Sequence, residues 1–332
     1  MKRGRGYYRS QRKRTIRRKR NLLYGIGGHD YWWAWTRGVN GRLAKGKIHC
    51  SCPMCRRKSY DDPAVRDKRA TGKAKDMISE YLMRETILKK LNEIEKKESV
   101  RILLAVESGS RAWGFASPDS DYDVRFTYVR PKAEYLRLEK VRDVIELPIE
   151  GELDINGWDL DKTLRLLRAS NPTLFEWFSS PIVYRETAFA DEFRSVMLKY
   201  FSSKRGLSHY LSMAGGNYRE YLKGDMVKAK KYFYVLRPIL ACRWILDKGT
   251  PPPMLFSELV EAELDPALLP DVDRLLELKM NAPEIKTIPK IESINRYLDS
   301  SIEELRSRIV PLPEDANHGW EDLNRLFFSQ LR

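Results

Sequence analysis

The stretch that decides the fold runs from Glu107 to Phe126 and reads ESGSRAWGFASPDSDYDVRF. The apolar run Ile102–Val106 comes directly before it and predicts a buried central strand that feeds a tight turn at Gly109 and Ser110. A glycine has no Cβ, so the backbone at Gly109 can approach a phosphate closely, and Ser110 starts a short helix whose free N–H groups favour an anion. The order of strand, turn and helix therefore predicts an anion site.

Two acids, Asp121 and Asp123, are separated by one residue where the next predicted strand begins. Side chains in a strand alternate between its faces, so both carboxylates should project to the same side. Like charges that close repel unless a cation lies between them, and Mg²⁺ or Mn²⁺ suits the position because carboxylates and substrate phosphates hold such ions. Together with the turn, the pair predicts a nucleoside triphosphate site. Arg111 or Arg125 would add positive charge there, unless either pairs with a nearby acid.

Length and composition bound the class of protein. The 332 residues suffice for two modest domains, and an apolar fraction of 42% is ordinary for a chain that buries a core. The sequence has no run of about 18 apolar residues and no apolar stretch after its N-terminal charges, so we expect neither a membrane span nor a secretory signal. Three of the four cysteines crowd between Cys50 and Cys55, which favours a reducing compartment and a cytoplasmic location.

The positive charge of the chain is concentrated at its N-terminus. Residues 1–75 hold 23 Lys and Arg against 4 Asp and Glu, a net charge of +19, whereas the remaining 257 residues hold 38 against 42 and carry −4. Neutralising phosphates with such a block releases condensed counterions, so it predicts binding to a polyanion. The first 20 residues of the block hold eleven basic residues and no acid, which is typical of an arm that stays extended or forms a helix only on a partner, or of a solvated tail. The aromatic cluster Tyr31–Trp35 stands among cations, which suits either stacking on unpaired bases or the core of a small module.

A cysteine cluster follows the aromatic residues. The thiols of Cys50, Cys52 and Cys55, with a nearby histidine as the fourth ligand, would make a structural zinc site. The alternative is a group of inert or redox-active thiols. The stretch LAKGKIHCSCPMC, which ends at Cys55, resembles a group of short, Arg-rich bacterial proteins, and this resemblance implies no activity.

Hydrophobic periodicity divides the chain into three parts. We predict a basic N-terminal module over residues 1–75, an α/β core over 76–187 and an all-helical C-terminal domain over 188–332, with a polar connection over residues 59–75. The predicted strands are Ile102–Val106, Tyr122–Val129, Val144–Leu147 and Glu152–Trp158. The predicted helices are Met77–Lys97, Asp159–Ala169, Leu207–Leu222, Val227–Leu246, Pro270–Met280 and Ile291–Ile309.

The Gly-Ser pair followed by Asp-x-Asp in an apolar strand is similar to the signature of the DNA polymerase β nucleotidyltransferase superfamily. The stretches SRAWGFASPDSDYDVRFTYV, DINGWDLDKTLRLLRASNPTLFEW, SPIVY and KKYFYVLRPILACRW resemble the RlaP-like family of predicted nucleotidyltransferases, which are often associated with RNA ligases. The resemblance implies a polymerase β-like α/β core with a mixed sheet, a metal-dependent transfer of a nucleotidyl group, and a third carboxylate on an adjacent strand.

Asp154 is our choice for the third carboxylate, because Leu153 and Ile155 make it the polar break in a buried strand. Asp159 is the alternative, and its other role is to cap the helix that follows. As a hypothesis, two Mg²⁺ ions about 3.5 to 4 Å apart are shared by the three carboxylates, one activating the acceptor hydroxyl and the other holding the triphosphate.

Four residues of the C-terminal part share one helix face, namely Lys230, Lys231, Tyr234 and Arg237. The resemblance implies that Lys231 and Arg237 bind the triphosphate, and the alternative is a solvated basic stripe. We expect an enzyme that moves a nucleoside monophosphate from a triphosphate such as ATP to a hydroxyl, on an RNA end. The rival interpretations are nucleotidylation of a protein or small molecule, and a non-catalytic nucleic-acid-binding protein.

Overall fold

The computed structural model describes residues 12–21, 23, 29, 33, 36–37, 65–117, 119–281, 287–313 and 318–331. Contacts separate the chain into two units, Met1–Ser79 and Glu80–Arg332. In the first unit, residues 12–21 are helical, whereas we expected this part of the basic arm to be extended or to fold only on a partner. The expected zinc ligands Cys50, Cys52 and Cys55 lie outside the described residues.

A long helix, α1, spans Val65–Glu98. Its start differs from the polar connection expected over residues 59–75, because Arg, Lys and Ala are good helix formers even where no apolar period marks the helix. Ile87, Leu91 and Ile94 recur at helical spacing, and all three are buried in one core cluster with residues of the sheet. The predicted helix is therefore confirmed, and its apolar face is buried from Ile87 onward, whereas Tyr81 and Leu82 earlier in the helix are exposed.

The sheet has five strands in the order β3-β4-β2-β1-β5. The strands are β1 Arg101–Glu107, β2 Tyr122–Val129, β3 Val144–Glu146, β4 Leu153–Asp159 and β5 Val183–Glu186. The sheet is mixed, since β2 and β4 run parallel whereas the β1–β2, β1–β5 and β3–β4 pairs are antiparallel. The predicted fold class and four of these strands are confirmed. Strand β5 was not predicted, because its four residues include two polar ones and carry no strong pattern.

Helices cover both faces of the sheet. The short helices that follow β1 and β2 are α2 Gly109–Ala112 and α3 Lys132–Tyr135. Three helices after β4 bury their apolar faces in a cluster with β1, namely α4 Leu160–Arg168, α5 Pro172–Phe178 and α6 Ala188–Met197. Helix α6 thus belongs to the core of the sheet, although it lies beyond the boundary expected at residues 187/188. Glu80–Arg332 form one compact unit.

The rest of the unit is mainly helical, as predicted. Its helices are α7 Ser203–Tyr221, α8 Ala229–Lys248, α9 Phe256–Glu263, α10 Leu269–Asn281, α11 Glu292–Ile309 and α12 Glu321–Gln330. A two-stranded sheet pairs β6 Met226–Lys228 with β7 Thr287–Pro289. Helix α12 returns to the sheet, where Leu323 and Leu326 join the cluster under β1. Within the described ranges, no helix combines the length and the apolar character that a membrane crossing requires.

Candidate active site

The elbow between β1 and α2 is built around Gly109. Its φ is +61°, a left-handed conformation that favours glycine. A Cβ at this position would lie 2.1 Å from Oδ2 of Asp123, and the backbone N–H of Ser108 donates to the carbonyl oxygen of Asp123 at 2.9 Å. The elbow, including Ser110 in the first turn of α2, therefore lies directly against the acid of the central strand.

The structure brings Asp123 and Asp154 together. The two residues are paired in register on the parallel strands β2 and β4, close to the end at which both strands start. Asp121 stands one residue before β2, which begins at Tyr122 as predicted, and its side chain is exposed. Burial raises the pKa of Asp123, the negative charges of Asp154 and Asp121 raise it further, and Arg125 lowers it.

The guanidinium of Arg125 lies between the two paired carboxylates. Its Nη2 is 2.9 Å from Oδ1 of Asp123 and 2.7 Å from Oδ2 of Asp154, and Nη1 donates to the backbone oxygen of Asp154 at 3.1 Å. The guanidinium therefore occupies the position between the two acids at which a metal ion was expected. In the part of the chain that the structure describes, no three His, Cys, Asp or Glu side chains converge as a metal site. A divalent ion shared by Asp123 and Asp154 thus requires the Arg125 side chain to move.

A buried acid, Glu107, supports the site and was not predicted. Its Oε1 accepts from the backbone N–H of Asp123 at 2.7 Å, and its Oε2 accepts from the hydroxyl of Tyr184. Burial raises the pKa of Glu107 to about 7. The signal in the sequence was an acid at the end of an apolar strand, immediately before the elbow.

The loop before Asp121 is held by two cations. Arg111 donates from Nη2 to the backbone oxygen of Ser120 at 2.7 Å and from Nε to that of Asp121 at 3.2 Å, and its guanidinium stacks 3.5 Å from the Tyr122 ring centroid. The buried Lys279 of α10 donates to the hydroxyl of Ser120 at 3.3 Å and to a second hydroxyl of the same loop at 2.7 Å. Arg111 therefore positions the backbone of Asp121, and Lys279 is a residue that the sequence did not reveal.

Lys231 and Arg237, expected on one face of α8, differ in burial. Arg237 is 2% exposed, its Nη1 is 2.7 Å from Oε1 of Glu176, and its guanidinium stacks on Trp113. Lys231 is half-buried, with Nζ 3.6 Å from the ring centroid of Tyr221. The buried pairing of Arg237 contradicts its expected place beside a triphosphate, because the helix period identified a shared face but not which part of it packs inside.

Asp159, the alternative third acid, has a structural role. It is buried, caps α4 by accepting from the backbone N–H of Asp161 at 2.8 Å, and accepts from the hydroxyl of Tyr135 at 3.1 Å. Burial raises the pKa of Asp159 to about 6. Because Asp159 is at the far end of β4 from Asp154, only Asp154 is placed beside Asp123.

Comparisons with known proteins identify sequence relatives of this chain. A family model described as "RNA repair pathway DNA polymerase beta family" matches residues 83–329. The chain is 46% identical over 251 residues to the uncharacterized protein YcgL of Bacillus subtilis (strain 168), covering 75% of this chain and 96% of that one. A crystal structure of a nucleotidyltransferase-like protein from Exiguobacterium sibiricum 255-15 is 11% identical, covers 73% of this chain and 79% of its own, and superposes with a TM-score of 0.27. The family model and the Bacillus relative, rather than the structural superposition, therefore show to which family the chain belongs.

Proposed function

Because the chain belongs to the RNA repair pathway DNA polymerase β family, we propose that it transfers a nucleoside monophosphate from a nucleoside triphosphate to the hydroxyl of an RNA end. The observation that supports this activity best is the pairing of Asp123 with Asp154 on parallel strands, with the Gly109 elbow packed against Asp123. Two acids in register provide a cation-binding edge, and the missing Cβ of Gly109 lets the backbone of the elbow lie directly against Asp123.

Asp121, Asp123 and Asp154 would hold Mg²⁺ or Mn²⁺, and the bound ion would activate the acceptor hydroxyl and neutralise charge on the triphosphate. Asp123 and Asp154 attract a cation, since Arg125 places one positive charge between them, and a divalent ion would take that place once the Arg125 side chain moves away. Oxygen ligands are those that Mg²⁺ prefers.

The remaining roles belong to the residues of the chain. Gly109 and Ser110 let the phosphates approach the backbone of the elbow, Arg111 holds the carbonyl of Asp121, and Lys231 adds positive charge on α8. In the transfer, the acceptor oxygen attacks the α-phosphorus, the bond from that phosphorus to the bridging oxygen of the β-phosphate breaks, and pyrophosphate leaves. The proton of the hydroxyl passes to the carboxylate of Asp154.

RNA as the acceptor is supported by the basic N-terminal region. Residues 1–75 carry a net charge of +19, whereas the rest of the chain carries −4. The helical residues 12–21 expose most of their basic side chains, as phosphate contacts require. The body alone would therefore hold a polyanion weakly, and we assign RNA capture to the N-terminal region.

The test is to incubate the purified full-length protein with α-labelled triphosphates, Mg²⁺, oligoribonucleotides and a mixture of proteins. We expect label on RNA and release of pyrophosphate, and we expect the double variant Asp121→Ala/Asp123→Ala to lose both while keeping its fold by circular dichroism. The matched control is Asp143→Ala/Asp225→Ala, which removes two exposed acids outside the site. Label on polypeptide alone would overturn the RNA assignment, and turnover by the Asp121/Asp123 double variant would overturn the active site.

A further inference from the structure

A cavity borders the elbow on the side of the sheet away from Asp123. It has a volume of about 330 Å³ and is lined by Glu80, Arg84, Arg111, Tyr122, Ile182 and Tyr184, among others. Successive side chains of a strand face opposite ways, so Tyr122 faces this cavity while Asp123 faces the proposed triphosphate. We propose that the cavity binds the terminal nucleobase of the acceptor strand, an inference that rests on the proposed transferase function.

One lining residue of the cavity is hydrogen-bonded to Asp121, and another is connected to Asp123 through Glu107. Arg111 lines the cavity and donates to the backbone oxygen of Asp121 at 3.2 Å. Tyr184 also lines it and donates to Glu107, whose other carboxylate oxygen accepts from the backbone N–H of Asp123. A ligand that contacts Arg111 and Tyr184 would therefore lie near Asp121 and Asp123, as the last nucleotide of an acceptor must.

The chemistry of the lining fits a nucleobase better than a free phosphate or a metal. Guanidinium groups lie over the rings of Tyr122, at 3.5 Å from Arg111, and of Tyr184, at 5.4 Å from Arg84. Planar cationic and aromatic groups stack on bases. The Glu80 carboxylate can accept hydrogen bonds from the ring or exocyclic N–H groups of a base, its charge disfavours a phosphate, and one carboxylate is too few for a divalent ion. A volume of about 330 Å³ lies at the lower end of ligand pockets, which suits a single base.

The proposed donor site does not include this cavity, which is therefore available to the acceptor. The proposed triphosphate site faces the other side of β2, and Lys231, assigned to the donor, lies on α8 against Tyr221 and Tyr234. The cavity is instead bordered by α1 and by the start of β5. Arg84 of α1 donates to the backbone oxygen of Val183 in β5 at 2.7 Å. The two nucleotides would thus approach the elbow from opposite faces of the sheet.

Two variants of the full-length protein test the proposal. Arg84→Met removes a stacking cation and keeps the apolar stem, and Ile182→Trp fills the cavity. The control Lys89→Met removes one exposed charge from α1 outside the cavity. With a short oligoribonucleotide and a saturating triphosphate, we expect both cavity variants to raise KM for the acceptor by about 5- to 150-fold, the range for loss of one stacked base. KM for the triphosphate stays at its wild-type value, and Lys89→Met changes neither constant.

Three outcomes decide the matter. Transfer with a raised acceptor KM in the cavity variants supports the proposal, whereas transfer with an unchanged acceptor KM overturns it and leaves the proposed function standing. If no triphosphate is turned over, the proposed function fails, and equilibrium dialysis with AMP and GMP then decides whether the cavity is a nucleobase site. Binding that Arg84→Met weakens supports such a site, and absent or unaltered binding overturns it. Should Ile182→Trp not fold, Arg84→Met carries both assays.

Discussion

Replacing Gly109 with Ala tests the elbow most sharply, because the chain offers a matched control. A left-handed backbone costs a residue with a Cβ about 1 to 2 kcal/mol. The new Cβ of Gly109→Ala would also lie 2.1 Å from Oδ2 of Asp123, where atoms need at least 3.0 Å, so the carboxylate must shift by about 1 Å. A shift of that size costs roughly 100-fold in rate. Gly151 has φ +63°, and a Cβ added there would meet nothing within 4 Å, so Gly151→Ala carries the backbone strain alone.

The assay compares kcat for pyrophosphate release and the free energy of unfolding in urea for both variants. We expect Gly151→Ala to lose about 1 to 2 kcal/mol of stability and Gly109→Ala to lose more, because its Cβ also displaces Asp123. Only Gly109→Ala should lose about two orders of magnitude in kcat. Equal rates for the two variants would show that the close approach of the elbow to Asp123 has no role in turnover.

Three further predictions concern Asp159, Arg237 and the N-terminal region. Burial raises the pKa of Asp159 to about 6, so the folded state holds this proton more tightly than the unfolded state, and stability falls as pH rises from about 4 through about 6. Asp159→Asn keeps a helix cap and should flatten that pH dependence in thermal melts. It should also retain the activity that Asp154→Asn loses. Arg237→Met should lower the free energy of unfolding by about 3 to 5 kcal/mol in urea titrations, because Glu176 loses its buried partner, and wild-type stability would exclude this structural role. Deleting residues 1–75 should weaken RNA binding and lower its salt dependence in fluorescence anisotropy titrations; unchanged affinity would assign the region another partner.

The sequence was most informative where local pattern decides structure. The apolar run Ile102–Val106 and the alternation from Tyr122 to Val129 predicted β1 and β2, and Gly109 predicted the turn between them, because each rests on neighbouring residues alone. Asp154 was selected from its apolar neighbours, and the structure places it opposite Asp123.

What sequence could not reveal depends on partners distant in the chain. The link from Glu107 to Tyr184 spans 77 residues and requires β5 to pair with β1. The contact of Lys279 with Ser117 spans 162 residues. Helical periodicity placed Arg237 on a face but did not show that Glu176 meets it inside the core. Tertiary contacts of this kind leave no local signal.

In the proposed active site, Asp123 and Asp154 hold a divalent ion beside the Gly109 elbow. Anomalous diffraction from crystals of the full-length protein soaked with Mn²⁺ and a non-hydrolysable triphosphate would locate that ion. We expect a manganese peak bound by both carboxylates, the triphosphate against the elbow, and the Arg125 side chain moved away from the pair. A nucleotide bound elsewhere, with Arg125 still bridging Asp123 and Asp154, would contradict this expectation.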